Sequence, residues 1–245
     1  MRQYKRPGMD GGQGYYTQVN KNSENGCIYC SKVATTREHI PSKAFLYEPF
    51  PENLPVVPAC LDCNNSFSLD EQYVSYYLEV MKTYVYNNYV MDSKIETKLS
   101  SDTRIRERIK KQINIVDNKI HFKYEEDRLV NVMTKLAKGH AAYEIDHLNF
   151  DDEPKISYSF IFEMNEEKLQ EFNDFPMMNK LPEVGSRIGQ HILIATAENG
   201  DVFSFFEWVT VQENQYRYCV YINSEGFPFV KFCIGEILFC VAYWD

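Results

Sequence analysis

Four of the seven cysteines stand in two pairs of identical spacing. Cys27 and Cys30 form the first C-x-x-C pair, and Cys60 and Cys63 form the second after 29 intervening residues. Two such pairs supply four thiolates on tight turns, which is the ligand set of a closed, tetrahedral structural zinc site. Paired C-x-x-C units in a reducing compartment are metal ligands before they are disulfides, and an odd cysteine total does not suit a closed disulfide framework. We therefore predict a structural zinc ion bound by these four cysteines.

Between and just after the two cysteine pairs lie residues whose types suit phosphodiester hydrolysis. Such a reaction needs a deprotonated water and a cation that absorbs charge on the phosphate. A neutral imidazole, here that of His39, accepts a proton from water near pH 7. Glu38 and Asn64 offer the hard oxygen ligands that Mg²⁺ prefers. A lone Glu-His pair has no predictive value, so the order of the whole set carries the interpretation.

That order resembles the HNH endonuclease family, in the segments 36–41, 52–54 and 63–65. The zinc-stapled members of the family show C-x-x-C, an Asp-His followed by a Pro, an Asn-Leu, and then C-x-x-C-Asn. The resemblance covers about residues 27–73 and implies a ββα-metal fold with nuclease activity. It also implies cleavage of DNA that leaves a 5′-phosphate and a 3′-hydroxyl, and it suggests a role in restriction or anti-phage defence.

The resemblance assigns a role to each matching residue. His39 corresponds to the general base, and Glu38 and Asn64 correspond to the ligands of a catalytic Mg²⁺ or Mn²⁺. Asn53 corresponds to the Asn that braces the loop whose backbone orients the histidine. The four-cysteine zinc site clamps the two ends of the segment so that Asn64 faces Glu38. Arg37 and Lys43 flank the site as phosphate ligands, although solvated surface positions explain them nearly as well.

Two departures from the family pattern concern the metal ligands. Glu38 replaces the usual Asp and is one methylene longer. Phe67 and Ser68 occupy the positions where the family often has a His or Lys. The third position of the motif therefore depends on Asn64 alone, with Asn65 as a possible substitute. Two further acidic residues could also approach the metal, although capping and solvation explain them adequately: Asp70 and Glu71.

The adjacency of Glu38 and His39 sets a geometric condition. Neighbouring residues on a regular strand point to opposite faces, so both can serve one site only from an irregular or bulged backbone. Pro41 favours such an irregularity because proline is excluded from regular central strands. The remaining histidines are interpreted as structural: His121, His140, His147 and His191.

The elements around the site predict an α+β protein with four segments. Residues 1–26 form an extended arm, 27–92 the HNH module with its following helix, 93–146 a helical connection, and 147–245 a mostly antiparallel β-sheet domain. Ser68 and Glu71 have the form of a capping box for a helix that runs to about Val90. Further helices are predicted at 95–112 and 127–146. Strands are predicted at 156–163, 190–197, 202–211, 216–222, 228–234 and 237–243, with turns at Asn199-Gly200 and Glu225-Gly226.

Five tyrosines of the first predicted helix recur at helical spacing, which indicates packing rather than a base-stacking platform. They are Tyr73, Tyr76, Tyr77, Tyr84 and Tyr86. Cys219, Cys233 and Cys240 fall in strand patterns and are interpreted as small buried apolar residues.

The net charge of −9 is unevenly distributed. Residues 1–120 carry 16 Lys and Arg against 14 Asp and Glu, whereas residues 121–245 carry 10 against 21. The half that contains the two C-x-x-C pairs is therefore compatible with a phosphate-rich partner. No apolar run approaches the ~20 residues of a transmembrane helix, and the N-terminus has no apolar core of a secretory signal. We accordingly expect a cytoplasmic protein with no membrane partner.

Three functions follow from these observations. The first is a metal-dependent HNH endonuclease acting on DNA. The alternative is a non-catalytic zinc module that binds nucleic acid or a protein. In the third, the acidic C-terminal half binds a protein partner or a second copy of the chain. This partner brings the nuclease to its target or inhibits it.

Overall fold

The computed structural model describes residues 26–30, 32–117, 119–145, 153–178, 181–182 and 186–245. The predicted N-terminal arm lies outside the described residues except for Gly26, and so does His147. Within the described parts, helices and antiparallel sheets occur together, as the predicted α+β class requires.

The first elements form a hairpin followed by a long helix. Strand β1 (Thr36–His39) pairs antiparallel with β2 (Val56–Ala59), and helix α1 (Leu61–Val85) follows directly. A short 3₁₀ segment, Lys43–Phe45, begins the connection between the two strands.

The prediction that Ser68 caps this helix is wrong, because the N-cap residue lies eight positions earlier, and the helix ends at Val85 and not at about Val90. Cys60 is the N-cap residue, and its sulfur accepts a hydrogen bond from the Cys63 backbone N–H at 3.4 Å. Ser68 lies inside the helix and donates to the Asn65 carbonyl, while the Glu71 carboxylate binds Lys135. The Cys60 sulfur therefore accepts from a backbone N–H of the first turn that has no partner within the helix. A serine hydroxyl has this role in the predicted cap.

The predicted helix at 95–112 is two helices, α2 (Ser93–Ser101) and α3 (Thr103–Lys110). Asp102 separates them, since its carboxylate accepts from the backbone N–H groups of Arg104 and Ile105 and thereby caps α3. An antiparallel hairpin, which was not predicted, follows as β3 (Ile113–Val116) and β4 (Lys119–Phe122).

Helix α4 (Glu126–Glu144) confirms the prediction for 127–146. Its apolar stripe is buried as the spacing requires, with Val132, Met133 and Leu136 fully inaccessible to solvent. Gly139 permits close approach to the hairpin, because a Cβ at this position would lie only 2.3 Å from Ile40 Cδ1.

The C-terminal part contains one sheet of five strands and one separate hairpin. The strands of the sheet are β5 (Lys155–Phe160), β8 (Val209–Gln212), β9 (Tyr216–Ile222), β10 (Pro228–Ile234) and β11 (Leu238–Tyr243). Their order in the sheet is β5-β11-β10-β9-β8, and every neighbouring pair is antiparallel. The hairpin consists of β6 (Ile192–Thr196) and β7 (Val202–Phe206).

The sequence located most of these strands, with two differences. The predicted strand 202–211 is divided into β7 and β8, and the short helix α5 (Glu166–Asn173) was not predicted. Both turn dipeptides connect strands as expected, and Gly200 and Gly226 adopt positive φ angles. Two 3₁₀ segments complete the description, Ile161–Glu163 and Arg187–Gln190.

One hydrophobic core joins the helices to the sheet. Helix α4 packs against α1 and against the sheet face that carries Tyr216, Tyr218 and Phe232. On the opposite face, Phe172 of α5 contacts Phe239. The three cysteines of the sheet are buried, as predicted. Cys219 and Cys240 belong to this core, and Cys233 packs with Phe172 and Phe239 on the opposite face.

The segment after β1 is also fixed to the sheet. The Tyr47 N–H donates to Gln212 Oε1 at 2.8 Å, and Gln212 Nε2 donates back to the Tyr47 carbonyl at 2.9 Å. Gln215 Nε2 donates to the Phe45 carbonyl at 3.0 Å. The connection between β1 and β2 is therefore held in place by the C-terminal half of the chain.

Candidate functional site

The four predicted zinc ligands lie together at the start of α1. The sulfur atoms of Cys27, Cys30, Cys60 and Cys63 all lie within 4.8 Å of one another, and the Cys30 and Cys60 sulfurs are 3.6 Å apart. Four thiolates on a tetrahedral zinc ion at ~2.3 Å are separated by ~3.8 Å, so the cluster could hold zinc with small adjustments. The pairs come from a turn before β1 and from the beginning of α1, which the ion would tie together.

Backbone donors surround these sulfurs. The Tyr29 N–H lies 3.4 Å from the Cys27 sulfur, and the Cys63 N–H lies 3.4 Å from the Cys60 sulfur. The Cys63 N–H bond lowers the pKa of the Cys60 thiol, because it stabilises the charged form. Burial raises the pKa of the Cys27 thiol and that of the Cys63 thiol, so the lowered pKa of Cys60 does not extend to the whole cluster.

Strand β1 is regular, so the bulge predicted at Glu38 and His39 is absent. All four residues of the strand pair in register with β2, with Glu38 opposite Val57 and His39 opposite Val56. Glu38 consequently shares the buried face of the hairpin with Val57, and His39 belongs to the other face. Pro41 lies beyond the end of the strand, where it does not interrupt the pairing.

Glu38 forms a buried ion pair that the sequence analysis did not anticipate. The Lys135 ammonium of α4 lies 2.8 Å from Glu38 Oε1, and it also contacts the Glu71 carboxylate of α1. Lys135 is fully inaccessible to solvent. Burial raises the pKa of Glu71, and the charge of Lys135 opposes this effect.

The Glu38–Lys135–Glu71 triad bears on the predicted magnesium site. The oxygen of Glu38 that faces Lys135 is already engaged by an ammonium, which satisfies the carboxylate as a cation would. Glu38 would bind a divalent ion only through its other oxygen or after Lys135 withdraws. The donor set therefore fits Mg²⁺ in part, through the oxygen types of Glu38 and Asn64 and not through a preformed cage.

His39 lies at the end of β1 and is partly exposed. Its Nδ1 atom is buried and forms no hydrogen bond with any described residue. Burial, and secondarily the charge of Lys43, lower the pKa of His39, which keeps the imidazole neutral near pH 7. The Pro55 carbonyl acts in the opposite direction and raises this pKa, but the net shift is downward. A neutral imidazole has the capacity to accept a proton at a ring nitrogen.

Asn64 lies in the first turn of α1 and contacts β1. Its Nδ2 donates to Thr36 Oγ1 at 3.1 Å and approaches the Arg37 carbonyl at 3.5 Å. The amide therefore connects the start of the helix to the strand that carries Glu38 and His39. Asn65, the predicted substitute, is exposed.

The remaining predicted residues lie around this strand. Asn53 is exposed in the turn before β2, and its side chain forms no hydrogen bond with a described residue, so the predicted bracing contact is not present. The Ile40 N–H donates to the Pro55 carbonyl instead. Arg37 and Lys43 are exposed on either side of His39, and the Lys43 ammonium lies 5.2 Å from the centre of the Phe50 ring.

Lys135 is a buried site residue that was not predicted, and Glu71 is its partner and not the predicted capping residue. A signal for Lys135 was present, since it lies three residues after Val132 on the apolar side of α4, where a charged residue requires a buried partner. Asp70, also considered near the metal, is paired instead with Arg128 at 2.5 Å. The prediction that His140 is a hydrogen-bonded core residue is confirmed by its 2.8 Å contact with the Tyr216 hydroxyl.

No protein-family model matches the chain, and comparison with curated protein sequences and with solved structures gives no match either. Among the described helices, none has the length and apolar character needed to cross a bilayer.

Proposed function

We propose that this protein is a metal-dependent endonuclease of the HNH type that hydrolyses phosphodiester bonds of DNA. The observation that carries the proposal is the contact of the Asn64 amide with Thr36 and Arg37. It joins the start of α1 to the strand bearing Glu38 and His39, in the hairpin-then-helix connectivity that the resemblance implies. The cysteine cluster at the same junction supports the proposal as a structural zinc site.

In this proposal His39 is the general base. Its neutral imidazole accepts the proton of the attacking water at a ring nitrogen, and the half-buried position at the strand end limits competing water. Arg37 and Lys43 attract and orient the phosphate from either side. A divalent ion held by Glu38 and Asn64 would neutralise charge that develops on the phosphate and the leaving oxygen. Glu38 and His39 point to opposite faces of the regular strand β1, so the proposal requires this strand to rearrange when the ion binds. Glu38 would then exchange its contact with Lys135 for the ion.

The Glu38–Lys135–Glu71 triad favours a second candidate function. If Lys135 permanently satisfies Glu38, the hairpin and helix form a non-catalytic zinc module that binds nucleic acid or a protein partner. The exposed Arg37 and Lys43 would then serve binding alone.

Cleavage of supercoiled plasmid DNA distinguishes the two functions. Purified wild type, His39→Ala and the matched control His121→Ala would be incubated with Mg²⁺ or Mn²⁺, and nicked and linear products quantified. His121 lies on β4, is exposed, and has no role in the proposal. We expect His39→Ala to lose about 100-fold or more of the rate, a typical contribution of general base catalysis, and His121→Ala to match wild type.

Equal cleavage by wild type and His39→Ala would remove His39 from the mechanism. Absence of cleavage by every protein, with DNA binding retained, would favour the non-catalytic module. Zinc content would be measured on each preparation, so that loss of the structural ion is not mistaken for loss of the base.

A further inference from the structure

A cleft opens beside the proposed catalytic strand. It has a volume of about 340 Å³ and lies between the 43–50 segment, one side of α1 and the beginning of α2. Lys43 lines it and also raises the local positive potential at His39, so the cleft and the catalytic strand adjoin one another. Binding sites for small organic ligands begin at ~300 Å³, so the cleft has room for a single nucleotide.

The walls of the cleft combine apolar, aromatic and hydrogen-bonding groups. Phe50 and Leu46 contribute from the segment after β1, and Ile95 contributes from α2. From α1, the partly exposed Gln72 lines the cleft, and its Nε2 donates at 3.3 Å to the hydroxyl of Tyr76, whose ring is buried in the core. Phe50 is a partly exposed aromatic residue in the same cleft, and such a ring together with a side-chain amide is suited to stack on a base and to hydrogen-bond its edge.

The charges at the cleft favour an anionic ligand. Its acidic residues are engaged within the protein: Glu48 pairs with Lys94, Glu71 with Lys135, and the Asp92 carboxylate caps α2. Lys43 and Lys98 line the cleft as well, and neither forms an ion pair with a described carboxylate. Two ammonium groups beside an aromatic surface match the phosphate and the base of one nucleotide.

We propose that this cleft binds one unpaired nucleotide of the nucleic acid substrate next to the bond that is cut. The inference rests on the proposed nuclease function and deepens it, because a base inside a duplex cannot enter the cleft without leaving its stack. The substrate class is therefore a single strand, or a strand that is locally opened, and not an undisturbed duplex. In this proposal Lys98 and Phe50 bind the unpaired nucleotide.

Equilibrium binding of a fluorescent single-stranded 12-mer to the full chain, without Mg²⁺ or Mn²⁺, tests the proposal. The same sequence as a duplex and a nucleoside monophosphate serve as competitors. The variants are Lys98→Glu and Phe50→Leu, with Lys111→Glu as the matched charge control on the exposed end of α3. Melting temperatures establish that each variant is folded.

We expect the single strand to bind more tightly than the duplex. Lys98→Glu and Phe50→Leu should each weaken binding about tenfold, and Lys98→Glu should reduce the salt dependence by about one phosphate contact. Lys111→Glu should bind within about twofold of wild type. Equal effects of Lys98→Glu and Lys111→Glu, tighter binding of the duplex, or no binding by wild type would each overturn the proposal. Exclusive binding of the monophosphate would identify a free nucleotide as the ligand and overturn it as well.

The catalytic proposal fails separately. His39→Ala should bind the 12-mer as wild type does, since His39 acts on water. If His39→Ala cleaves plasmid as fast as wild type while Lys98→Glu and Phe50→Leu lose binding, the nuclease assignment fails and the nucleotide site stands. If cleavage requires His39 while those two variants bind normally, the nuclease assignment stands and the nucleotide site fails.

Discussion

The Lys135 ammonium lies 2.8 Å from the Glu38 carboxylate, and this pair joins α4 to the strand that carries the proposed general base. Lys135 also contacts Glu71, so one buried cation serves two carboxylates on two other elements. Removing the cation leaves two negative charges with little access to water. The stability of the hairpin is thus coupled to a residue almost 100 positions away in the sequence.

Replacement of Lys135 by Met should cost about 3–5 kcal/mol of unfolding free energy, the usual effect of breaking a buried pair from one side. The triple variant Lys135→Met, Glu38→Gln, Glu71→Gln should recover most of that loss, because no uncompensated charge is left. Urea denaturation measures both. A triple variant as unstable as Lys135→Met would show that the aliphatic packing of Lys135, and not its charge, is what matters.

The cysteine cluster predicts one zinc ion per chain. Binding of a structural zinc ion contributes on the order of 10 kcal/mol, so its removal by a chelator should lower the melting temperature and loosen the hairpin. Cys60→Ala should abolish zinc binding, whereas Cys219→Ala, a buried cysteine of the sheet, should retain it. Elemental analysis of the purified proteins measures the ion. Zinc retained at wild-type levels by Cys60→Ala would contradict the assignment.

We expect the burial of His140 to make the folded protein less stable in mild acid. Burial lowers the pKa of His140 to about 3, whereas an unfolded histidine has a pKa of about 6.5. Below pH 6.5 the unfolded chain therefore binds a proton that the folded chain does not. This difference destabilises the fold progressively as the pH falls towards 3, by about 2 kcal/mol between pH 7 and pH 5.

His140→Gln should remove this part of the pH dependence, because the amide can still bond to the Tyr216 hydroxyl but does not titrate. Urea unfolding of wild type and variant at pH 7, 6 and 5 gives the comparison. His121→Ala, at an exposed position of β4, should keep the wild-type slope. Parallel stability curves for wild type and His140→Gln would refute the prediction.

Gly139 has no side chain, so α4 can lie close to the hairpin, and a larger residue at this position should destabilise the protein. A Cβ at this position would lie 2.3 Å from Ile40 Cδ1 and 2.8 Å from Ile40 Cγ1. Gly139→Ala should cost about 1–3 kcal/mol of unfolding free energy, despite the higher helix propensity of alanine. Ile40→Val, which deletes the Cδ1 atom, should restore part of this loss in the double variant. Gly189→Ala is the control, since a Cβ there meets no atom within 4 Å.

Local sequence patterns predicted the helices and strands whose apolar residues repeat at a regular spacing. The apolar period of α4 and the alternation in β9 and β10 follow from residues close together in the chain. The convergence of the two cysteine pairs followed from their shared ligand chemistry, although they are far apart in sequence. The true start of α1 did not follow, because a cysteine sulfur took the capping position expected for Ser68. The pairing of Glu38 with Lys135 also did not follow, since it depends on how α4 packs across the hairpin, a contact between residues far apart in sequence.

The reciprocal hydrogen bonds between Tyr47 and Gln212 make the protein difficult to dissect by truncation. A fragment that ends before the sheet would lose these partners and would expose to water the side of α4 that packs on the sheet. Such a fragment would report on its own misfolding instead of on its chemistry. For the same reason we do not expect the segment with the two C-x-x-C pairs and α1 to fold by itself when it is fused to another protein. Single substitutions in the intact chain are therefore the better test of its activity.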